Sequence, residues 1–83
     1  MDYKDRITAW EARNPLRMWR VEQGLSRGGV AAFVDSSTNS VINWERGGSI
    51  PDKTKMALIA KEMGIDPQVL RGLWMTWRKE IRG

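Results

Sequence analysis

Apolar residues recur along the chain at intervals of three and four, which is the spacing of one face of an α-helix. No segment alternates apolar and polar residues over the length of a strand. The pattern therefore predicts an all-α protein of five or six short helices. The predicted helices span residues 3–13, 15–23, 27–34, 38–46, 53–63 and 67–82.

Residues with known preferences for helix ends mark most of these boundaries. Asn14-Pro15 and Asp66-Pro67 each place a capping side chain before a proline at the first helical position, where the missing N–H costs nothing. Glycine at a helix end supplies a left-handed closing residue. The remaining predicted N-caps are Ser26, Ser37 and Asp52, and the predicted closing glycines are Gly24, Gly47 and Gly64.

Two of the predicted helices, 27–34 and 38–46, have the dimensions of a helix-turn-helix. The second helix would turn Val41 and Trp44 inward. Its outward face is polar but nearly uncharged, unlike a face made only for solubility. Asparagine pairs with an adenine edge, threonine bonds a base or a phosphate, and an aliphatic group contacts a thymine methyl. We interpret the face as a reader of the DNA major groove rather than ordinary polar surface, with the residues Thr38, Asn39, Ile42 and Asn43.

The run LRMWRVEQGLSRGGVAAFVDSSTNSVINWERGGSIP, followed by LIAKEMGIDPQVL, resembles the phage-repressor and Cro type of helix-turn-helix domain, the XRE family. The resemblance covers residues 16–70 and is ungapped from 16 to 51. It implies a lambda repressor-like domain that binds double-stranded operator DNA, often as a homodimer. It also implies a structural ion pair between Arg20 and Glu45. From their positions at the start of helix 27–34 and the end of helix 38–46, we expect phosphate contacts by Arg27 and Arg46.

The chain departs from the family pattern at several positions. Asp35 stands where a glycine in a left-handed turn is usual, and aspartate tolerates that conformation better than most residues. Ser36 replaces a buried valine, Gly28-Gly29 replace good helix formers, and Ile42 replaces a polar residue. These departures bear on how the domain docks and on its DNA specificity.

The amino-acid composition narrows the classes of function that the protein can have. The net charge of +4 and a pI of about 10 favour an anionic partner. Because the chain has no cysteine and no histidine, we expect no enzyme, no catalytic residue, no metal site and no cofactor. No apolar run is long enough to cross a bilayer, and the first residues are charged, unlike a signal peptide. We expect a cytoplasmic protein of a bacterial or phage-infected cell.

Three of the five tryptophans, Trp10, Trp74 and Trp77, lie on the flanking helices 3–13 and 67–82. Two interpretations stay open. The helices could pack together and enlarge a small core, or the aromatic side chains could form a dimer interface. The basic residues Arg78, Lys79 and Arg82 suit the end of a helix dipole, with contact to a DNA backbone as the alternative.

We conclude from the sequence that residues 1–83 form a single domain with a family-matched core at 16–70. The predicted function is sequence-specific transcriptional regulation, as a repressor or related regulator of phage or mobile-element type. The alternative is a helix-turn-helix used to bind a protein, as in an antitoxin or a regulator-binding factor. The charges of residues 26–47 sum to zero, which lends that alternative weight.

Overall fold

The computed structural model of the chain describes residues 2–81. Within that range the backbone forms six α-helices and no strand, so the predicted all-α class is confirmed. Residue 82, the predicted end of the last helix, lies outside the described residues. The helices are Tyr3–Ala12 (α1), Pro15–Glu22 (α2), Arg27–Phe33 (α3), Thr38–Glu45 (α4), Lys53–Met63 (α5) and Pro67–Glu80 (α6).

Side-chain caps begin the helices where the sequence predicts them. The Asn14 side chain accepts from the N–H of Arg17 at 2.9 Å, and the Asp66 side chain accepts from the N–H of Gln68 at 2.7 Å. Each cap satisfies one of the backbone donors that a helix start leaves unpaired. The other predicted caps, which also accept from a backbone N–H, are Ser26, Ser37 and Asp52.

The turn between α3 and α4 is tight and left-handed at Asp35, with φ 54°. Aspartate therefore takes the conformation that the usual glycine would take. Lys55 of α5 reaches back to this turn, where its Nζ donates to the carbonyls of Val34 at 3.3 Å and Asp35 at 2.9 Å. The lysine thus satisfies two carbonyls at the end of α3 and holds the turn against α5.

All six helices contribute to one hydrophobic cluster, which explains why short helices with weak individual propensity are stable together. α3 illustrates the point, since it forms despite Gly28-Gly29 because Ser26 caps it and Val30 and Ala31 are buried. The buried apolar residues are Trp10, Leu16, Val30, Ala31, Val34, Val41, Trp44, Met56, Ile59, Ala60, Leu70, Trp74 and Trp77.

Three apolar residues at or near helical core spacing are exposed. The spacing predicts Leu73 in the apolar stripe of the last helix, but 53% of it is exposed because the stripe faces the core through Leu70, Trp74 and Trp77. Leu25 follows the closing Gly24 without entering the core and is 37% exposed. Val21, at the outer face of α2, is 59% exposed.

The flanking helices α1 and α6 pack on each other through Trp10 and Trp77, which we call the Trp10–Trp77 pair. The two indole rings stack with centroids 4.1 Å apart and an interplanar angle of 2°. Each indole Nε1 donates to the backbone carbonyl of the other tryptophan at 2.7 Å. Both buried donors are therefore satisfied within the pair.

This packing bears on the two interpretations of the tryptophans. Trp10, Trp74 and Trp77 are 6%, 0% and 3% exposed in a single copy of the chain. Almost none of their surface remains open, so these side chains belong to the core, as the first of the two interpretations predicts. In the same stretch of 2–81, no helix combines the length and apolarity needed to cross a membrane.

Candidate nucleic-acid interface

One face of α4 is exposed and carries no formal charge. Thr38, Asn39 and Asn43 are exposed along it, and Ile42 is half-buried at its edge. The opposite face holds the buried residues Val41, Trp44 and Glu45. Because the core fixes that inner face, the outer side chains are presented on a rigid element. Arg46, which ends the helix, is exposed as well.

The two asparagines of the outer face, Asn39 and Asn43, differ in their contacts. The Nδ2 of Asn43 donates to the Ser49 hydroxyl at 2.7 Å, and its amide lies over Gly48. A Cβ built on Gly48 would stand 2.1 Å from the Asn43 Oδ1, so glycine is what leaves room for this amide. The side chain of Asn39 makes no hydrogen bond with any described residue. The Asn43 side chain is therefore oriented by Ser49 in the loop after α4, while the Asn39 amide is free to bind another molecule.

Gly48→Ala tests this arrangement. The added methyl group must displace the end of the Asn43 side chain, which is flexible, so the stability loss should be about 1 kcal/mol or less, the scale of one exposed hydrogen bond. The side-chain amide signals of Asn43 in an NMR spectrum should shift, while those of Asn39 serve as the internal control and stay in place. Unchanged Asn43 signals in a folded variant would contradict the contact.

Glu45, at the last turn of α4, joins three helices. Its carboxylate is 1% exposed and accepts from Arg20 of α2 at 2.7 Å from Nε and 3.0 Å from Nη2. The remaining Arg20 nitrogen, Nη1, donates to the Leu25 carbonyl at 3.0 Å. Such a two-pronged arginine–carboxylate contact fixes both distance and angle. α4 is therefore oriented relative to α2 by this ion pair.

Arg27, predicted as a phosphate contact, also reaches Glu45. Its Nε lies 3.2 Å from Oε1 of the carboxylate, and its side chain is 37% exposed. The contact holds the start of α3 against the end of α4, and the terminal nitrogens of Arg27 form no hydrogen bond with a described residue. The residue is thus part of a buried network as well as of the surface, which the sequence pattern does not indicate.

Two further cations lie beside the ends of α4: Lys55, which the sequence does not assign to the site, and Arg78, for which the sequence leaves contact with a DNA backbone open. Lys55 binds the turn before the helix, as described above. Arg78 of α6 binds the loop after it, where its Nε donates to the Gly47 carbonyl at 3.3 Å. Both contacts join residues at least 20 positions apart, so no local sequence pattern predicts them.

The fold and this geometry define a helix-turn-helix domain, with α3 and α4 as its two helices. A model of the helix-turn-helix family matches residues 16–70, about two thirds of the chain. The chain belongs to this family, in its XRE or lambda repressor-like form, as the sequence predicts. It is therefore a helix-turn-helix protein of the DNA-binding regulatory type.

No curated protein matches the chain, and no solved structure does so either. The helix α1 and residues 71–80 of α6 lie outside the matched range of 16–70. Those two segments carry the Trp10–Trp77 pair and Arg78, which therefore lie outside the matched core.

Proposed function

We propose that the protein is a sequence-specific transcriptional regulator that reads the major groove of operator DNA with α4. The observation that carries the proposal is the exposed, uncharged face of Thr38, Asn39 and Asn43 on a helix whose other face is held by the core. Asn39 offers an acceptor and two donors to an adenine edge, Thr38 reaches a base or a phosphate, and Ile42 contacts a thymine methyl.

Phosphate contacts hold the register of α4 in this proposal. The outer face of α4, with Thr38, Asn39, Ile42 and Asn43, is the reading face in this proposal. The exposed Arg46 follows it directly, and Arg27 offers its terminal nitrogens at the start of α3. Arg27 is pre-ordered by its contact with Glu45, which reduces the side-chain entropy lost on binding. Since each phosphate contact releases counterions from the duplex, affinity should fall steeply with salt concentration. The cytoplasm of a bacterial or phage-infected cell stays the predicted location.

We also propose that two copies act together on DNA. A recognition helix of eight residues reads few base pairs, and a second copy doubles the site. With the tryptophans buried, a groove between α2 and α6 offers open apolar surface for pairing. Met18, Val69 and Leu73 are exposed there, and Gly72 lets a second helix approach closely. Paired copies would bind half-sites about 34 Å apart.

A protein-binding role is the second candidate. Its support is the charge balance of residues 26–47, where Arg27 and Arg46 are offset by Asp35 and Glu45. The structure adds that Arg27 is already tied to a carboxylate. A module of this kind, such as an antitoxin or a regulator-binding factor, would show little salt dependence in any residual DNA affinity. The assignment to phage or mobile-element regulators stays a prediction.

The test is selection of bound duplexes from a random DNA pool. The wild type should enrich one motif, and the double variant Asn39→Ala/Asn43→Ala should lose it because each lost base contact costs about 1–3 kcal/mol. Gln23→Ala is the matched control, since it removes an exposed amide at the end of α2 and should enrich the same motif. Circular dichroism must show all three proteins folded.

The selected motif also decides the number of copies. A palindromic motif supports the dimer, whereas a single half-site supports a monomer. If the folded wild type enriches nothing, the proposal of sequence-specific reading fails and the protein-binding candidate replaces it.

A further inference from the structure

The last helix passes close to the end of the recognition helix α4. Gly47 follows α4 with a left-handed backbone, φ 81°, and sits against the Trp10–Trp77 pair. A Cβ at Gly47 would stand 2.5 Å from Cη2 of Trp10 and 3.4 Å from Cη2 of Trp77. The backbone after α4 therefore rests directly on the two flanking helices, and the position of α6 is fixed relative to the reading face.

Arg78 follows Trp77 and points toward this same backbone. Its Nε donates to the Gly47 carbonyl at 3.3 Å, while its side chain is half-buried. Among residues 2–81 it forms no ion pair with a carboxylate. A guanidinium has five N–H donors, so the contact with Gly47 leaves the terminal Nη groups available. Arg46, exposed and next to Gly47 in the chain, places a second guanidinium at this end of α4.

A solvated helix end does not account for this arrangement. Arginine and lysine in a last turn usually interact with the carbonyls of their own helix. Lys79 is exposed and able to serve that role, whereas Arg78 leaves α6 and bonds the loop that follows the recognition helix. The buried tryptophans on the same helix hold its backbone in place. The guanidinium is thus pre-oriented at the flank of the reading face, without an anion of its own in the described structure.

We propose that Arg78 binds a phosphodiester group of the DNA strand that borders the groove read by α4. The inference rests on the proposed DNA-binding function and extends it, because Arg78 lies outside the family-matched residues 16–70. Its Nε anchors the side chain on Gly47, and its Nη groups donate to the phosphate oxygens. Arginine suits this task, since its planar fork matches a phosphate in a two-pronged contact. The flanking helices thereby contribute to DNA affinity as well as to the core.

The experiment compares Arg78→Ala with Lys79→Ala. Both variants remove one positive charge from neighbouring positions of α6, so a general loss of charge affects them alike. Dissociation constants for a short random-sequence duplex are measured by fluorescence anisotropy over a range of salt concentrations. This duplex is suitable because phosphate contacts dominate binding that is independent of sequence.

Arg78→Ala is expected to lower the slope of log affinity against log salt by about one unit and to weaken binding about tenfold at low salt. Lys79→Ala should keep the wild-type slope. Arg78→Gln retains a donor for the Gly47 carbonyl and therefore controls for a folding defect. It should show the same decrease in slope as Arg78→Ala. Arg78→Lys should keep most of the slope, because a point charge still binds phosphate.

Two results would overturn the inference. Equal slopes for wild type and both neutral Arg78 variants show that no phosphate is bound there, and equal losses for Arg78→Ala and Lys79→Ala show a general charge effect. A wild type that binds no duplex even at low salt rejects the proposed function itself. That outcome is distinct from the first two, in which the wild type still binds.

Discussion

Glu45→Ala is expected to lower the free energy of unfolding by about 3–5 kcal/mol, which is the usual cost of removing one partner of a buried ion pair. The substitution leaves the side chain of Arg20, which is 11% exposed, without its carboxylate and frees Arg27 as well. For a chain of this size each kcal/mol lowers the melting temperature by about 4–8 °C. Thermal unfolding followed by circular dichroism measures the shift. DNA binding should weaken with it, because α4 loses its tie to α2.

Glu80→Ala is the matched control for this prediction. Glu80 also forms an ion pair with an arginine, but Arg13 and Glu80 are 57% and 39% exposed. An exposed pair of this kind is worth about 0–1 kcal/mol, so the control should melt near the wild type. Glu45→Gln keeps the shape and one acceptor and should fall between the two. A melting curve unchanged by Glu45→Ala would show that the buried pair does not hold the fold.

Gly47→Ala is expected to destabilise the protein by about 3 kcal/mol. The left-handed backbone costs an alanine about 1–2 kcal/mol. The methyl group must also enter the space 2.5 Å from Trp10, and such overpacking costs about 1–3 kcal/mol more. Urea unfolding followed by tryptophan fluorescence measures the loss. The same variant should weaken DNA binding, since the end of α4 must move off the Trp10–Trp77 pair.

Gly64→Ala separates the two costs. Gly64 has nearly the same backbone, φ 74°, but a Cβ there meets nothing within 4 Å. Its substitution should therefore cost only the backbone part, about 1–2 kcal/mol. The excess loss of Gly47→Ala over Gly64→Ala measures the contact with Trp10. Equal losses in the free energy of unfolding at the two positions would mean that the Trp10–Trp77 pair moves aside without cost and does not support α4.

Much of the fold could be predicted because its signals are local. A capping side chain acts on a backbone N–H two or three residues away, so Asn14, Ser26, Ser37, Asp52 and Asp66 mark helix starts that a reader can find in the sequence. The spacing of apolar residues likewise identifies the helix-turn-helix. Leu73 shows the limit of apolar spacing as a predictor of burial. Whether a residue at the edge of an apolar stripe is buried depends on how far a neighbouring helix covers it, which the spacing does not show.

The contacts of the candidate site could be predicted less completely, because most of them join residues far apart in the sequence. The outward face of α4 follows from helix geometry alone, so Thr38, Asn39 and Asn43 are exposed as predicted. The contacts that orient that face come from distant positions: Arg78 reaches across 31 residues and Arg27 across 18. A single sequence holds no record of such pairings, because they depend on the packing of whole helices rather than on neighbours in the chain.

The Trp10–Trp77 pair has a consequence for how the protein is made. Its partners are 67 positions apart, so α1 leaves the ribosome long before α6 exists. Closing so long a segment carries an entropic cost that local helices do not, and it comes late. Until then Gly47 lacks its support and Arg78 is absent. The nascent chain can assemble its central helices early, but the end of the recognition helix becomes rigid only after Trp77 has been synthesised. In the proposed function, α4 is therefore fully supported for DNA reading only once the last helix has docked.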